Sequence, residues 1–308
     1  MDKKRVLVTG GTGFIGRQVV PLLLGAGHEV HVISSRAEAR IDPRSELHVI
    51  NLHDPESRAE VVASIGADHL LHLAWYLEPG QVWNSVENVR WAEASLGLLR
   101  EFAASGGRRA VLAGTCSEYG PSEEPCNEEG TPMAPQNLYG ISKDATRRVA
   151  LSFADTVGLS TAWARIFFAY GPGEHPVRLV SSVIRRLLAG EEAPVSHGQQ
   201  VRDYLSTPEI AAALLAVLES DFEGVVNVGS GNQVRLREMV DLIAARIGRP
   251  DLVLYGEIIP PAEDPPVLVA DTTRLRESVG WEPTLTLAEG LNTAIEWWRE
   301  HSDGPTQP

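Results

Sequence analysis

Tyr139 and Lys143, in the stretch "NLYGISKDATRRVA", stand four residues apart. On a helix that spacing places them on one face, one turn apart. A lysine ammonium beside a phenol draws the phenol pKa down from about 10, towards the range where proton transfer is efficient. Many helices carry a tyrosine and a lysine at this spacing as a plain surface pair. The context here is "LAGTCSEYG", which sets Thr115 at the end of an apolar, strand-like run. The C-terminal ends of parallel strands face the ligand crevice of a sheet. The Thr115 hydroxyl and the Tyr139 phenol are therefore expected to meet on one substrate oxygen.

A second group with chemical meaning lies near the start, in "LVTGGTGFIG", residues 7–16. Gly10, Gly13 and Gly16 read as GxxGxxG, and Gly11, Gly13 and Gly16 also read as GxGxxG. Glycines at this spacing, between a strand and a helix, permit a tight turn, let a pyrophosphate approach the backbone and let helix and strand pack closely. The helix N-terminus adds free N–H groups and the positive end of its dipole. The next apolar run ends "HVISSR", with Ser34, Ser35 and Arg36 and no carboxylate. A carboxylate there would hold the adenosine ribose hydroxyls of NAD, whereas hydroxyls and a guanidinium suit a 2′-phosphate. The expected cofactor is NADP(H), with NAD(H) as the alternative.

These groups need a frame, and the chain supplies alternation. The strand-like runs "RVLVTG", "HEVHVIS", "ELHVIN", "HLLHLAW", "RRAVLAG" and "STAWARI" are separated in several places by helical stretches such as "FIGRQVVPLLLGAG" and "SVENVRWAEASLGLLREFAAS". That pattern predicts βαβ units and a Rossmann-type, doubly wound parallel sheet of the α/β class. Pro21 is expected to disturb the first helix. The net charge of −14 over 308 residues argues against nucleic acid and anionic membrane surfaces as partners. No apolar stretch reaches membrane-spanning length and the start lacks a signal-peptide pattern, so a cytoplasmic protein is expected. Two cysteines, Cys116 and Cys126, make no disulfide framework, and no metal site is expected. His69 and His72 read as core histidines, His175 and His197 as loop residues, and Trp297 and Trp298 as helix packing. Trp75 and Tyr76 read equally well as faces for stacking or as packing.

Taken in order along the chain, "VTGGTGFIG", "HLA" (72–74), Asn88, "GTCSEYG", "YGISK", "RIFFAYGPG", "VRDYLSTPEIAAALL", "VVNVGSG" and "VGWEPTLTLAEGL" resemble the extended short-chain dehydrogenase/reductases. The likeness is to their NAD(P)-dependent sugar-nucleotide epimerase, dehydratase and reductase group. It implies a dinucleotide-binding domain over 1–165, rejoined by 205–229, and a smaller C-terminal α/β substrate domain over 166–204 and 230–308. It implies Thr115, Tyr139 and Lys143 as the catalytic trio, with Lys143 also on the nicotinamide ribose. The cofactor would further touch Phe14 and Ile15 in the glycine turn, Asn51, Leu52, Leu73 and Ala74, with Asn88 on the nicotinamide side. Trp75, Cys116, Ser117, Phe168 and Arg202 would line the substrate, a nucleotide-diphosphate sugar, with Arg202 on the diphosphate. A homodimer joined through the tyrosine helix is also implied.

Several positions depart from the family pattern. Dehydratases carry Asp-Glu after the catalytic threonine, where this chain has Cys116 and Ser117, which removes the acid/base pair for eliminating water. Phe168 stands where relatives place a polar asparagine, Asn51 where an aspartate often contacts adenine, and the proline-rich "IIPPAEDPPV" where a second diphosphate arginine is common. The expected activity is NADPH-dependent reduction of the C4 keto group of a nucleotide-activated deoxysugar. The alternatives are an NAD-dependent 4-epimerase and, from another class, a non-catalytic dinucleotide-sensing scaffold.

Overall fold

The computed structural model describes residues 3–261 and 264–301. All six apolar runs singled out above are strands: β1 (Arg5–Thr9), β2 (Glu29–Ser34), β3 (Glu46–Val49), β4 (His69–His72), β5 (Arg109–Thr115) and β6 (Ser160–Ile166). With the strand Gly224–Val228 they form one parallel sheet, ordered (Gly224–Val228)-β6-β5-β4-β1-β2-β3. The chain reverses direction across the sheet between β1 and β4, so the crevice of this Rossmann-type fold opens above those two strands.

Both faces of the sheet are covered, which is why its inner strands are almost continuously apolar. On one face α1 (Gly16–Gly25) brings Val19, Val20 and Leu23 against Val6, Val8 and Val32. On the other face α2 (Pro55–Ile65), α3 (Glu87–Ala104) and α4 (Leu138–Val157) bury Val62, Leu98, Phe102 and Ala150 against Leu7, Leu70 and Leu112. Pro21 lies inside α1, and the helix continues through it to Gly25.

Beyond the sheet, α5 (Leu179–Ala189) comes next, while α6 (Thr207–Glu219) returns to the α1 face with Ile210, Leu214 and Val217. Then α7 (Leu236–Ile247) and α8 (Leu287–Glu300) pack with α5 around a separate core of Ile184, Leu187, Met239, Ile243, Leu291 and Trp298. Short strands border this core: Ala193–Val195 beside Val253–Tyr255, and Val201–Arg202 between Val234–Arg235 and Val267–Leu268. Among the described residues no helix is long and apolar enough to cross a membrane.

Candidate active site

Two glycines of the turn, Gly10 and Gly16, have no room for a side chain. Gly10 has φ +72°, and a Cβ there would lie 2.8 Å from Ala74 N. A Cβ at Gly16 would lie 2.1 Å from Gly10 O. Gly10, Leu73 and Ala74 are thus in contact at the C-terminal ends of β1 and β4, as expected for two sides of a cofactor crevice. Gly13 differs, because a Cβ there meets only Gly10 O, at 3.2 Å. Its outer side is open to a ligand.

Phe14 and Ile15, both half-buried, complete the turn, and α1 starts without a side-chain cap. At the same end stands Arg17, which sequence reasoning passed over. Its Nε donates to Gly13 O (3.3 Å) and its Nη2 to Thr12 O (3.4 Å), and burial lowers its pKa. An uncapped helix N-terminus, an open glycine and an arginine together fit the pyrophosphate of a dinucleotide. At the end of β2, Ser34 is buried and accepts from the Arg36 backbone N–H (3.2 Å), while Ser35 and Arg36 are exposed. Past β3, Asn51 is exposed with Oδ1 accepting from His53 N (3.1 Å), and Leu52 is buried.

The structure brings Thr115, Tyr139 and Lys143 together. Asn137 caps α4 by accepting from Gly140 N (3.0 Å), so Tyr139 falls in the first turn, on the side facing the end of β5. Gly140 allows that approach: a Cβ on it would lie 2.2 Å from Ser117 O. The Thr115 side chain faces the Tyr139 phenol closely enough to pull its pKa down, and Thr115 Oγ1 accepts from Ser117 N (3.2 Å). Lys143 is buried, with Nζ donating to Ala113 O (2.9 Å) and lying 3.7 Å from the centroid of the Trp75 ring.

The electrostatics correct one expectation. Burial pushes the Tyr139 phenol up, and the Thr115 hydroxyl offsets only part of that rise. Burial also brings Lys143 down to about 7, against a smaller upward pull from Glu118. Here the lysine, not the tyrosine, is the group moved to neutrality.

Asn88 Oδ1 accepts from Trp75 Nε1 (2.9 Å), and its amide donates to Val82 O (2.6 Å) and Ser85 O (3.0 Å), so it holds the loop at 82–85 beside the crevice. The Trp75 ring is buried and carries the Lys143 ammonium on its face. His72 is a satisfied core histidine, bonded to Thr9 Oγ1 (2.6 Å) and Ser95 Oγ (2.8 Å).

Cys116 is buried and its thiol is pushed up to about 12 by burial, which makes it no nucleophile. Sequence reasoning also missed Glu118. It is fully buried, accepting from Thr115 N (2.8 Å), Trp163 Nε1 (2.9 Å) and Arg165 Nε (2.7 Å). Space for it exists because residue 114 is glycine: a Cβ there would lie 2.7 Å from Glu118 Oε1. The Glu118–Arg165 pair forms the floor of the site.

On the substrate side, Arg202 is buried and paired with Asp264 (2.5 Å), its guanidinium 5.4 Å from the Phe168 ring, which in turn packs on Tyr204. Asp264 comes from the proline-rich stretch that replaces the second arginine of the family pattern.

The family described as "NAD dependent epimerase/dehydratase family" matches residues 6–229. This chain belongs to it. A UDP-glucose 4-epimerase of Streptomyces lividans is 29% identical over 97% of this chain and 98% of its own length. UDP-glucuronic acid decarboxylase 1 of Xenopus tropicalis is 28% identical over 97% of this chain and 73% of its own. Among solved structures, UDP-glucose 4-epimerase of Thermotoga maritima with UDP-glucose superposes with TM-score 0.87 at 27% identity, covering 96% of this chain and 99% of that one. MoeE5 in complex with UDP-glucuronic acid and NAD gives TM-score 0.82 at 30% identity, with the same coverage.

Proposed function

We propose that this member of the family is an NAD-dependent 4-epimerase of a nucleotide-diphosphate sugar, acting in the cytoplasm. Residues 1–165 and 205–229 would form its cofactor half, and 166–204 and 230–308 its substrate half. The observation that carries the reading is the state of the carboxylate nearest the trio. Glu118 is locked beneath the site by Arg165 and Trp163, and the two positions after Thr115 are Cys116 and Ser117. The trio is equipped to move a proton on one oxygen, with no second acid/base group for eliminating water. Epimerisation needs only that, because its two half-reactions run through the same atoms in opposite directions.

A dinucleotide held by its pyrophosphate at the glycine turn would supply a nicotinamide that takes a hydride from the sugar carbon and returns it. Ionised, Tyr139 Oη would take the proton of the reacting hydroxyl as the hydride leaves and return it as the hydride comes back, so no proton is gained or lost over the cycle. Thr115 Oγ1 orients the phenol and offers a second contact to the same oxygen. Lys143, near neutrality, is placed to release its proton or keep it as charge develops above it. Arg202 reaches a diphosphate by exchanging Asp264 for phosphate oxygens. Val89 on α3 and Ile141 and Val149 on α4 are exposed apolar side chains on two helices that pack together, which supports a homodimer formed through that face.

A second reading rests on Ser34–Arg36. With no carboxylate there to grip ribose hydroxyls, a 2′-phosphate is accommodated, and an NADPH-dependent 4-ketoreductase follows. One experiment separates the two. The protein, with no cofactor added, is incubated with UDP-glucose or UDP-galactose and followed by proton NMR, and the denatured protein is assayed for released NAD+. Interconversion of the two sugars with released NAD+ supports the epimerase. Conversion of a 4-keto sugar nucleotide at one NADPH consumed per sugar, with no interconversion, replaces it by the reductase.

A further inference from the structure

The parallel pairing of β2 with β3 places three potential metal ligands at the edge of the sheet, away from the proposed active site. His31 lies opposite Glu46 in the register, and His48 lies opposite Ile33, two residues further on. Their donor atoms converge. His31 Nδ1 is 3.0 Å from His48 Nε2 and 3.5 Å from Glu46 Oε2, and His48 Nε2 is 3.6 Å from Glu46 Oε1. Ligand atoms about 2.0–2.2 Å from a tetrahedral zinc ion stand about 3.3–3.6 Å apart; Glu46 offers Oε2 to one histidine and Oε1 to the other, and with the two ring nitrogens slightly closer the three side chains stand near the spacing of one face of such a tetrahedron.

We propose that His31, His48 and Glu46 form a binding site for a divalent transition-metal ion of the zinc type, with water at the fourth vertex.

The surroundings of the triangle support it. His31 Nε2 is held by Glu29 Oε1 (3.1 Å), and Glu29 is itself fixed by Arg5 (2.7 Å) and Lys3 (3.3 Å). A carboxylate accepting the outer N–H of a histidine fixes the tautomer, leaving the inner nitrogen with its lone pair for a metal. His31 Nδ1 is therefore a ligand already set. His48 donates to it in the metal-free state and becomes a ligand by moving its proton from Nε2 to Nδ1, with no net proton lost. The two imidazoles are largely buried, with side chains 9% and 17% exposed, whereas Glu46 is 64% exposed and opens the fourth vertex to water. Two imidazoles and one carboxylate suit zinc, cobalt or copper and not magnesium or calcium, which prefer oxygen donors. The spacing in sequence gives no motif, because the ligands come from two strands joined by the segment 35–45. That segment begins with Ser35 and Arg36, so an ion here would clip the strand bearing the cofactor-selecting residues to its neighbour.

The test needs no catalytic activity and so stands apart from the epimerase reading. Full-length protein stripped with EDTA is titrated with ZnCl2 by calorimetry, and with CoCl2 by visible absorption. The expected result is one ion per chain, a tetrahedral cobalt spectrum, and a melting temperature that rises and saturates with zinc. His48→Gln and the surface variant Glu46→Gln should each weaken zinc binding by about tenfold or more, while His69→Gln, elsewhere on the sheet, leaves it unchanged. Magnesium in excess should not compete. Absence of saturable binding below about 0.1 mM overturns the proposal. So does binding that His48→Gln and Glu46→Gln leave intact; the two histidines are then only hydrogen-bonded to each other.

Discussion

Lys143 carries a cost that replacement by methionine should reveal. Its ammonium is buried, and its pKa falls from 10.5 to about 7. Between those values the folded chain binds fewer protons at this site than the unfolded chain, so folding stability rises with pH across that window and is lowest, as far as this group is concerned, at and below pH 7. At pH 7 a shift from 10.5 to about 7 corresponds to a penalty of about 4 kcal/mol, and at pH 9 to about 2 kcal/mol. Lys143→Met keeps the length of the side chain and removes the charge. It also strips Ala113 O of its donor, a loss of about 1–3 kcal/mol. The variant should therefore be more stable than the natural chain by about 1–3 kcal/mol at pH 7, and that advantage should shrink by about 2 kcal/mol on going to pH 9. Urea unfolding of both proteins at pH 7, 8 and 9 measures the difference, and all titrations common to the two cancel. A difference that stays flat with pH refutes the argument, because the lysine then titrates near its ordinary value despite its burial. The same variant should have lost turnover.

Tyr139→Phe keeps the ring and removes the proposed proton-transferring oxygen, so turnover should fall by about 10²–10⁴ with NAD+ affinity little changed; near-normal turnover would place the acid elsewhere. Asp264→Asn releases Arg202 from its partner, and UDP should bind more tightly by calorimetry, by about 1.5–3 kcal/mol if the full charge-assisted contact is recovered. Unchanged UDP affinity would show that Arg202 takes no part in holding a diphosphate. Arg36→Ala should narrow the difference between NADPH and NADH dissociation constants by about 10- to 150-fold if the end of β2 holds a 2′-phosphate; equal constants in the natural chain exclude that role.

The alternation of apolar runs and helices made the sheet legible, and the glycine turn and the Tyr139–Lys143 spacing located the crevice and the residues beside it. Those features are local: each element reports its own periodicity, and a cap such as Asn137 acts within its own turn. What escaped was pairing over distance. Glu118 reads as a surface carboxylate until Arg165, 47 residues later, and Gly114 are seen to make a buried place for it. Arg202 reads as a free cation until Asp264, 62 residues on, neutralises it. Tyr139 and Lys143 share one face of α4, yet burial shifts both, the phenol up and the ammonium down, and that burial comes from β5 and from Trp75, 68 positions away, which helix spacing does not report.

The floor beneath Thr115 has a consequence for how such a site changes over evolutionary time. Gly114, Glu118, Trp163 and Arg165 are mutually dependent: a side chain at 114 displaces Glu118, loss of Glu118 strands Arg165 in the interior at about 3–5 kcal/mol, and loss of Arg165 leaves Glu118 with Arg147 alone, at 3.8 Å. No member of that quartet can drift alone, and their substitutions should be strongly epistatic. Positions 116 and 117 lie outside it. The backbone of Ser117 makes the contacts that matter, to Thr115 and against Gly140, and those contacts ask nothing of its side chain. A new acid/base group can therefore be tried at 117 while the foundation stays intact, whereas a charge at 116 would be buried among Tyr119, Cys126 and Phe167, so the chemistry above the threonine is mutable at one position and held at the other.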